Sequence, residues 1–247
     1  MKKYNNILRF IKRIIFPPSC VFCRRMIEIN CRTNVCGKCS DGIEFTSDKV
    51  CCKKCGKPIV GYNEKQRCYF CVNSDVKYFD RIVAVFVYDG LVRNSIIRFK
   101  RNGFNEYADT YADCMMAKFY EEYSDIKFDF MCGAPSHDKR NRKKDFDHVD
   151  LLCKRLSKRI DLSYKRKAFT HLRDTDKQSS LGYDARQKNL KNSLGVSPDL
   201  DILGKTILLI DDICTTRATI IECSRALKAA GAKKVFALTV ATVNNPK

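Results

Sequence analysis

Hydrophobic and polar positions follow two alternating patterns along the last two thirds of the chain. Runs of apolar and β-branched residues, typical of strands, are separated by segments in which apolar residues recur every three or four positions, as in amphipathic helices. The predicted strands are 81–88, 128–134, 206–210 and 234–243, and the predicted helices are 91–100, 105–123, 146–160 and 218–230. Strands that alternate with helices form a parallel sheet flanked by helices. We therefore predict an α/β domain over residues 80–247, in which 195–204 connects to the third strand.

A helical pattern also occupies the N-terminus. In the first sixteen residues, apolar side chains at positions 7, 8, 11, 14 and 15 share one helical face, and three cations interrupt them. A signal peptide needs an uncharged apolar core, which these cations exclude. We predict a short basic amphipathic helix over 1–18, and docking onto the chain's own domain is favoured over contact with a membrane surface. No later segment approaches eighteen apolar residues, so we expect no transmembrane helix and a cytoplasmic location.

Cysteines are concentrated between these two regions. The chain has fifteen, of which ten precede residue 72, and a cytoplasmic chain uses such clusters for metal rather than for disulfides. Four Cys-x-x-Cys pairs occur in order: Cys20 and Cys23, Cys36 and Cys39, Cys52 and Cys55, Cys68 and Cys71. Two such pairs complete a closed tetrahedral zinc site. We predict a small double zinc-ribbon module over 19–79 that holds two structural Zn²⁺ ions; sequential pairing is the simplest arrangement, and interleaved pairing stays open.

The charge of the chain is strongly positive. Forty-seven Lys and Arg residues against 28 Asp and Glu residues give a formal net charge of +19. Two zinc ions bound by eight thiolates would leave roughly +15. A protein this basic is expected to meet polyanions, above all nucleic acid. The alternative is a lysine-rich composition that only keeps the protein soluble.

One segment, 206–219, carries candidate chemistry. An apolar strand ends at Asp211 and Asp212, and a turn rich in hydroxyl groups follows before the next helix. Open α/β sheets bind ligands at the carboxyl ends of their strands, and the amides of a helix N-terminus bind phosphate. We therefore predict a sugar-phosphate site in which the acids bind ribose hydroxyls and the turn binds the phosphate. The structural alternative is an acidic strand end whose aspartate caps the next helix.

This segment resembles the diphosphosugar-binding signature of type I phosphoribosyltransferases, which reads Asp-Asp-aliphatic-x-Thr-Thr-Gly-x-Thr. The chain departs from that pattern at Arg217, where the family has glycine. If the backbone there is left-handed, a side chain costs about 1 kcal/mol. Alternatively, the guanidinium of Arg217 grips the phosphate directly.

A double zinc ribbon followed by this signature resembles the ComF family, bacterial proteins tied to natural competence and related to phosphoribosyltransferases. Further blocks similar to those of the family are 97–103, 134–142 and 173–189. A second departure lies at 142–148, where relatives read Arg-x-Arg-Gly-Phe-Asn-Gln. Asp145 and Asp147 there replace Gly and Asn, and we expect these two new carboxylates to be unfavourable beside a pyrophosphate.

The resemblance implies a type I phosphoribosyltransferase-like parallel sheet flanked by helices and a site for 5-phosphoribosyl 1-diphosphate with Mg²⁺. It assigns Asp211, Asp212 and Lys100 to catalysis, with the acids on the ribose hydroxyls and the magnesium, and Lys100 and Arg101 at the pyrophosphate. The residues assigned to the 5-phosphate are Thr215, Thr216, Arg217, Ala218 and Thr219.

Two functions of different classes follow from these expectations. The first is an enzyme that transfers the phosphoribosyl group to an acceptor. The second is a catalytically inactive protein of the transformation machinery, which binds single-stranded DNA or docks onto a competence helicase or other DNA-uptake proteins. The remaining histidines, including His148, have no metal or triad partner at a recognisable spacing, and Cys214 has no visible base that would make it a nucleophile.

Overall fold

The computed structural model describes residues 17–28, 31, 33–59, 66–74, 77–102, 104–135, 147–173 and 189–244. Several sequence predictions concern residues outside these ranges. The helix predicted for the first sixteen residues lies outside the described residues. So do the family-like positions in 136–146, including Asp145, and in 174–188. The C-terminal 245–247 also lies outside the described residues.

Six strands and six α-helices are described. In chain order the strands are β1 (Arg81–Val87), β2 (Phe130–Gly133), β3 (Phe169–His171), β4 (Leu194–Val196), β5 (Thr206–Cys214) and β6 (Lys234–Thr242). The helices are α1 (Gly37–Gly42), α2 (Tyr69–Asn73), α3 (Gly90–Asn102), α4 (Asn105–Tyr123), α5 (His148–Ile160) and α6 (Ala218–Ala229). A single 3-10 turn, Thr46–Asp48, lies between α1 and α2.

The principal sheet has four parallel strands in the order β1–β6–β5–β2. Successive side chains of a strand point to opposite faces, so the apolar run of β5 serves two cores. Leu208 and Ile210 pack in the core that contains α3, α4 and α5 residues, whereas Ile207 and Leu209 pack with residues of α6. The predicted α/β architecture with a parallel sheet between helices is confirmed.

Two details differ from the sequence prediction. β5 was predicted to stop at Ile210 but continues to Cys214, because β6 runs beside it and pairs Ile213 with Ala241 and Cys214 with Thr242. The two aspartates therefore lie within the strand and not after it. The predicted connection 195–204 also begins in a strand, since β4 pairs antiparallel with β3.

The cysteine-rich segment packs directly on this sheet. Near the first cysteine pairs, the Ser95 hydroxyl of α3 donates to the carbonyl of Val21 at 2.7 Å, and the Arg98 guanidinium donates to the same carbonyl at 3.0 Å. The ring of Phe22 lies edge-on to Phe86 of β1, with centroids 5.8 Å apart. The zinc-ribbon segment thus shares its hydrophobic core with the α/β domain.

The second cysteine pairs approach the sheet at β1. The amide of Ile82 donates to the carbonyl of Lys54 at 2.9 Å. Gly56 follows in the same turn with φ +66°, and a Cβ built there would lie 2.7 Å from the Ile82 carbonyl oxygen. Only glycine combines that left-handed backbone with so close an approach.

Replacing Gly56 with alanine should therefore lower the free energy of unfolding of the zinc-loaded protein by at least about 1 kcal/mol, the cost of the left-handed conformation alone. Urea unfolding followed by circular dichroism measures it. Gly42→Ala is the control, because a Cβ at Gly42 meets nothing within 4 Å. Equal stability of the two variants would contradict the packing described for the second ribbon.

Candidate functional site

Eight cysteines form two separate clusters. The first consists of Cys20, Cys23, Cys36 and Cys39, and the second of Cys52, Cys55, Cys68 and Cys71; within each, all sulfur atoms lie within 4.8 Å of one another. The Sγ atoms of Cys23 and Cys36 are 3.6 Å apart, as are those of Cys55 and Cys68. Tetrahedral zinc with Zn–S bonds of about 2.3 Å places sulfurs about 3.8 Å apart, so both clusters fit structural Zn²⁺. Sequential pairing is confirmed, interleaved pairing is wrong, and all fifteen cysteines are free of disulfides.

The turn after β5 surrounds a small, partly open concavity. Its walls bring together Asp211 and every residue that the resemblance assigned to the 5-phosphate: Thr215, Thr216, Arg217, Ala218 and Thr219. The Thr216 hydroxyl accepts a hydrogen bond from the Ala218 amide at 3.4 Å, at the first residue of α6. The first amides of an α-helix have no intrahelical acceptor, so this end of α6 is suited to an anion.

Asp212 lies on the opposite face of β5, away from the concavity. Its Oδ2 atom is 2.8 Å from Lys100 Nζ and 2.5 Å from His148 Nε2. Lys100 and Asp212 are thus brought together, while Arg101, the next residue of α3, is exposed. His148 is the contact that sequence analysis missed, because 64 residues separate it from Asp212. The available signal was its position, where relatives have glutamine.

The two adjacent carboxyls have different electrostatic surroundings. Burial, followed by the charge of Asp212, raises the pKa of Asp211 from its usual 3.8 to about 7. Burial would raise the pKa of Asp212 as well, but the charge of Lys100 and the hydrogen bond from His148 hold it well below its usual range. Below pH 7 the pair therefore carries its negative charge mainly on Asp212, where the Lys100 ammonium neutralises it.

Asp147 serves the backbone and not a ligand. Its Oδ1 atom accepts hydrogen bonds from the amides of Val149 at 2.9 Å and Asp150 at 3.2 Å, which caps the N-terminus of α5. Asparagine and aspartate cap helices about equally well, which explains the exchange at this position. The structure therefore gives Asp147 a capping role, and the expectation about its effect beside a pyrophosphate stays a prediction.

Arg217 has the left-handed backbone that its position in the signature implies, with φ 67° and ψ 0°. The residue is buried, and its guanidinium carbon lies 4.1 Å from the centroid of the Phe70 ring. Its Nη1 atom is 3.7 Å from Cys55 Sγ of the second cluster. The guanidinium is held against the zinc ribbon, and the alternative in which it grips a phosphate stays a prediction.

Cys214 ends β5 next to this turn. Burial raises the pKa of its thiol to about 12, which leaves the sulfur protonated at neutral pH. A protonated thiol is a poor nucleophile.

Comparisons with known proteins agree with this description. The double zinc ribbon domain family matches residues 11–72. DNA utilization protein YhgH of Escherichia coli K12 is 31% identical over 107 residues, which cover 43% of this chain and 46% of that protein. Competence protein F of Haemophilus influenzae is 29% identical over 104 residues, or 41% of this chain and 45% of that protein. These findings confirm the resemblance to the ComF family.

The chain spans about half the length of the curated relatives that it matches. Among solved structures, an adenine phosphoribosyltransferase covers 59% of this chain and 75% of its own, at 13% identity and a TM-score of 0.38. At this identity and TM-score, the comparison says nothing about the activity of this chain. Among the described residues, no helix has both the length and the apolar character needed to cross a bilayer.

Replacing Asp211 with asparagine should change how stability depends on pH. Because the native carboxyl binds its proton more tightly than the unfolded chain does, its contribution to stability is full below about pH 4 and is lost as pH rises through about 7. Between pH 5 and pH 8 the free energy of unfolding of the natural protein should fall relative to that of Asp211→Asn, by at least about 1.4 kcal/mol, the equivalent of one pKa unit.

Urea unfolding at the two pH values measures this difference. Asp201→Asn is the control, because Asp201 has an exposed side chain and should leave the pH dependence of the natural protein unchanged. Parallel pH profiles for Asp211→Asn and the natural protein would contradict the assignment of a raised pKa to Asp211.

Proposed function

We propose that this protein binds 5-phosphoribosyl 1-diphosphate with Mg²⁺ at the carboxyl end of β5, and that it acts in DNA uptake during natural competence. The observation that carries the proposal is the concavity at the start of α6, which joins the threonine-rich turn to the buried carboxyl of Asp211. A sugar phosphate needs this combination of amides, hydroxyls and a carboxylate.

Each part of the ligand has a counterpart at the site. The 5-phosphate would meet the hydroxyls of Thr215 and Thr219 and the first amides of α6, and the ribose hydroxyls would meet Asp211. Asp212 and Lys100 lie on the opposite face of β5, 2.8 Å apart, so the pyrophosphate would reach the Lys100 ammonium only around the carboxyl end of the strand.

The carboxylates fit a hard cation such as Mg²⁺, which prefers oxygen ligands and is commonly shared between carboxylates and substrate phosphates. Asp211 borders the concavity and is the residue that would hold the ion, whose charge would offset that of the diphosphate. The chain itself would orient the sugar. Transfer to an acceptor would then depend on positioning and charge stabilisation, without a covalent intermediate.

The role in DNA uptake is supported from outside the site. The relatives with similar sequences are named a DNA utilization protein and a competence protein. The charge of +19 suits a protein that works close to nucleic acid.

Calorimetric titration of the zinc-loaded protein with 5-phosphoribosyl 1-diphosphate and Mg²⁺ tests the binding site. We expect saturable micromolar binding, weakened about tenfold or more in Thr219→Val, because a lost hydrogen bond to a charged phosphate costs about 1.5–3 kcal/mol. Thr170→Val, in the antiparallel pair β3–β4 and outside the concavity, is the matched control and should bind as the natural protein does. An absence of heat in the natural protein would overturn the assignment of this ligand.

A second function, binding of single-stranded DNA, is favoured by one surface feature. Tyr69, on α2 of the second ribbon, is 85% exposed, and Arg67 and Lys53 of the same ribbon are also exposed. Aromatic rings among cations form the stacking platforms of single-strand binders.

On this hypothesis, Tyr69→Ala should weaken binding of a labelled oligothymidylate about fivefold or more, because stacking contributes about 1–3 kcal/mol per base. Fluorescence anisotropy at about 50 and 200 mM salt measures the affinity, which should fall steeply with salt. Tyr120→Ala is the control, since that tyrosine is 52% exposed but lies on α4, outside the ribbons. Affinity that is insensitive to salt, or equal losses in both variants, would argue against this second function.

A further inference from the structure

The second zinc ribbon and the turn after β5 are joined by one buried side chain. Arg217 belongs to the turn, yet its guanidinium stacks on Phe70 of α2 and reaches Cys55 of the second cluster, at 4.1 Å and 3.7 Å respectively. The residue itself is only 4% exposed. A change at the cluster is therefore felt directly by the backbone of the turn.

A buried guanidinium requires a compensating negative charge. Four thiolates around a divalent zinc ion carry a net charge of about −2, and the hydrogen bond from Arg217 to Cys55 Sγ points at that charge. Lys57 is buried too, and the charges of Cys68 and Cys55 act on it together with that of Arg217. Two buried cations thus face a cluster whose metal-bound form has two negative charges.

The backbone of Arg217 also needs this anchor. A left-handed conformation is unfavourable for any residue with a Cβ, and this turn retains it at an arginine. The contacts of the guanidinium are what the structure offers to offset that strain. Without them, the peptide between β5 and α6 would relax toward a more common conformation and change the shape of the concavity.

We propose that Arg217 is a positioning residue that holds the phosphate-binding turn in its left-handed conformation as long as the second cysteine cluster contains zinc. When the ion leaves, the freed thiolates take up protons from water, which removes the negative charge that faces Arg217 and releases the turn. The first cluster has a different neighbour, since Val21 beside it is bonded to α3. The inference rests on the proposed function only in calling the turn a phosphate site; the link between turn and cluster stands apart from it.

Zinc release from the full-length, zinc-loaded protein tests the link without any sugar ligand. A chromogenic chelator should remove one of the two zinc ions about tenfold faster from Arg217→Met than from the natural protein, and the other ion at an unchanged rate. Mutation of a group that is hydrogen-bonded to a metal ligand commonly lowers metal affinity about 10–100-fold. Arg217→Lys, which keeps the positive charge, should restore part of the difference. Arg159→Met, whose guanidinium binds Asp113 of α4, is the control for losing a packed arginine. If Arg217→Met releases both zinc ions at the same rates as the natural protein, the proposal is overturned.

Hydrogen exchange of the peptide that covers 213–221 gives a second readout. Cys71→Ser, which disables the second cluster, should speed exchange in this peptide about tenfold or more, and Cys36→Ser, the matched change in the first cluster, should not. In Arg217→Gly the turn needs no anchor, so adding Cys71→Ser should leave its exchange unchanged. Equal acceleration by both cysteine variants would reflect general destabilisation and would contradict the specific link.

Titration with ribose 5-phosphate then separates the two proposals. Weaker binding to Cys71→Ser than to Cys36→Ser, together with faster zinc release from Arg217→Met, supports both. If the natural protein does not bind ribose 5-phosphate while zinc release and exchange follow Arg217 as expected, the proposed function fails and the link between cluster and turn holds.

Discussion

The pairing of β5 with β6 beyond the apolar run determines the arrangement of the candidate site. Because the ladder continues to Cys214, both aspartates keep strand geometry and must point to opposite faces of the sheet. Asp211 thereby reaches the turn before α6, and Asp212 reaches α3 and α5. One dipeptide thus supplies an acid with a raised pKa on one side and an ion pair on the other. If the strand had ended at Ile210, strand geometry would not place the two aspartate side chains on opposite faces of the sheet.

Buried charge explains the other long-range contacts. Asp212 is stabilised by Lys100 and His148, and Arg217 by Phe70 and the second cysteine cluster. These partners come from the N-terminal ribbon, from α3 and from α5. Asp212 therefore needs α3 and α5 in place, and Arg217 needs the second ribbon, which couples the geometry of the site to the integrity of the whole fold.

The periodic elements and the zinc ligands were accessible from the sequence because their signals are local. Hydrophobic periodicity located the main strands and helices, and the Cys-x-x-Cys spacing identified all eight cysteines of the clusters. The end of β5 was not accessible, since aspartates usually leave a strand and only the neighbouring β6 ladder keeps them in it. The pairing of the cysteines also stayed open, because their connecting loops permit both arrangements.

The contacts of His148 and Arg217 were beyond the sequence for a related reason. His148 lies 64 residues from Asp212, and Arg217 lies 162 residues from Cys55, so no local pattern records either contact. In each case the visible signal was a departure from the family pattern. In the structure, each of these two residues has a specific partner.

The hydrogen bond from Ser95 to the Val21 carbonyl spans 74 residues, which has a consequence for biosynthesis. The ribosome makes the first ribbon well before it makes α3, so the knuckle emerges before the helix that later covers it. During that interval the thiolates lack the cover of α3, although the amide of Cys36 can already donate to Cys20 Sγ within the ribbon. Zinc bound at this stage would hold the first ribbon in shape before the α/β domain folds against it.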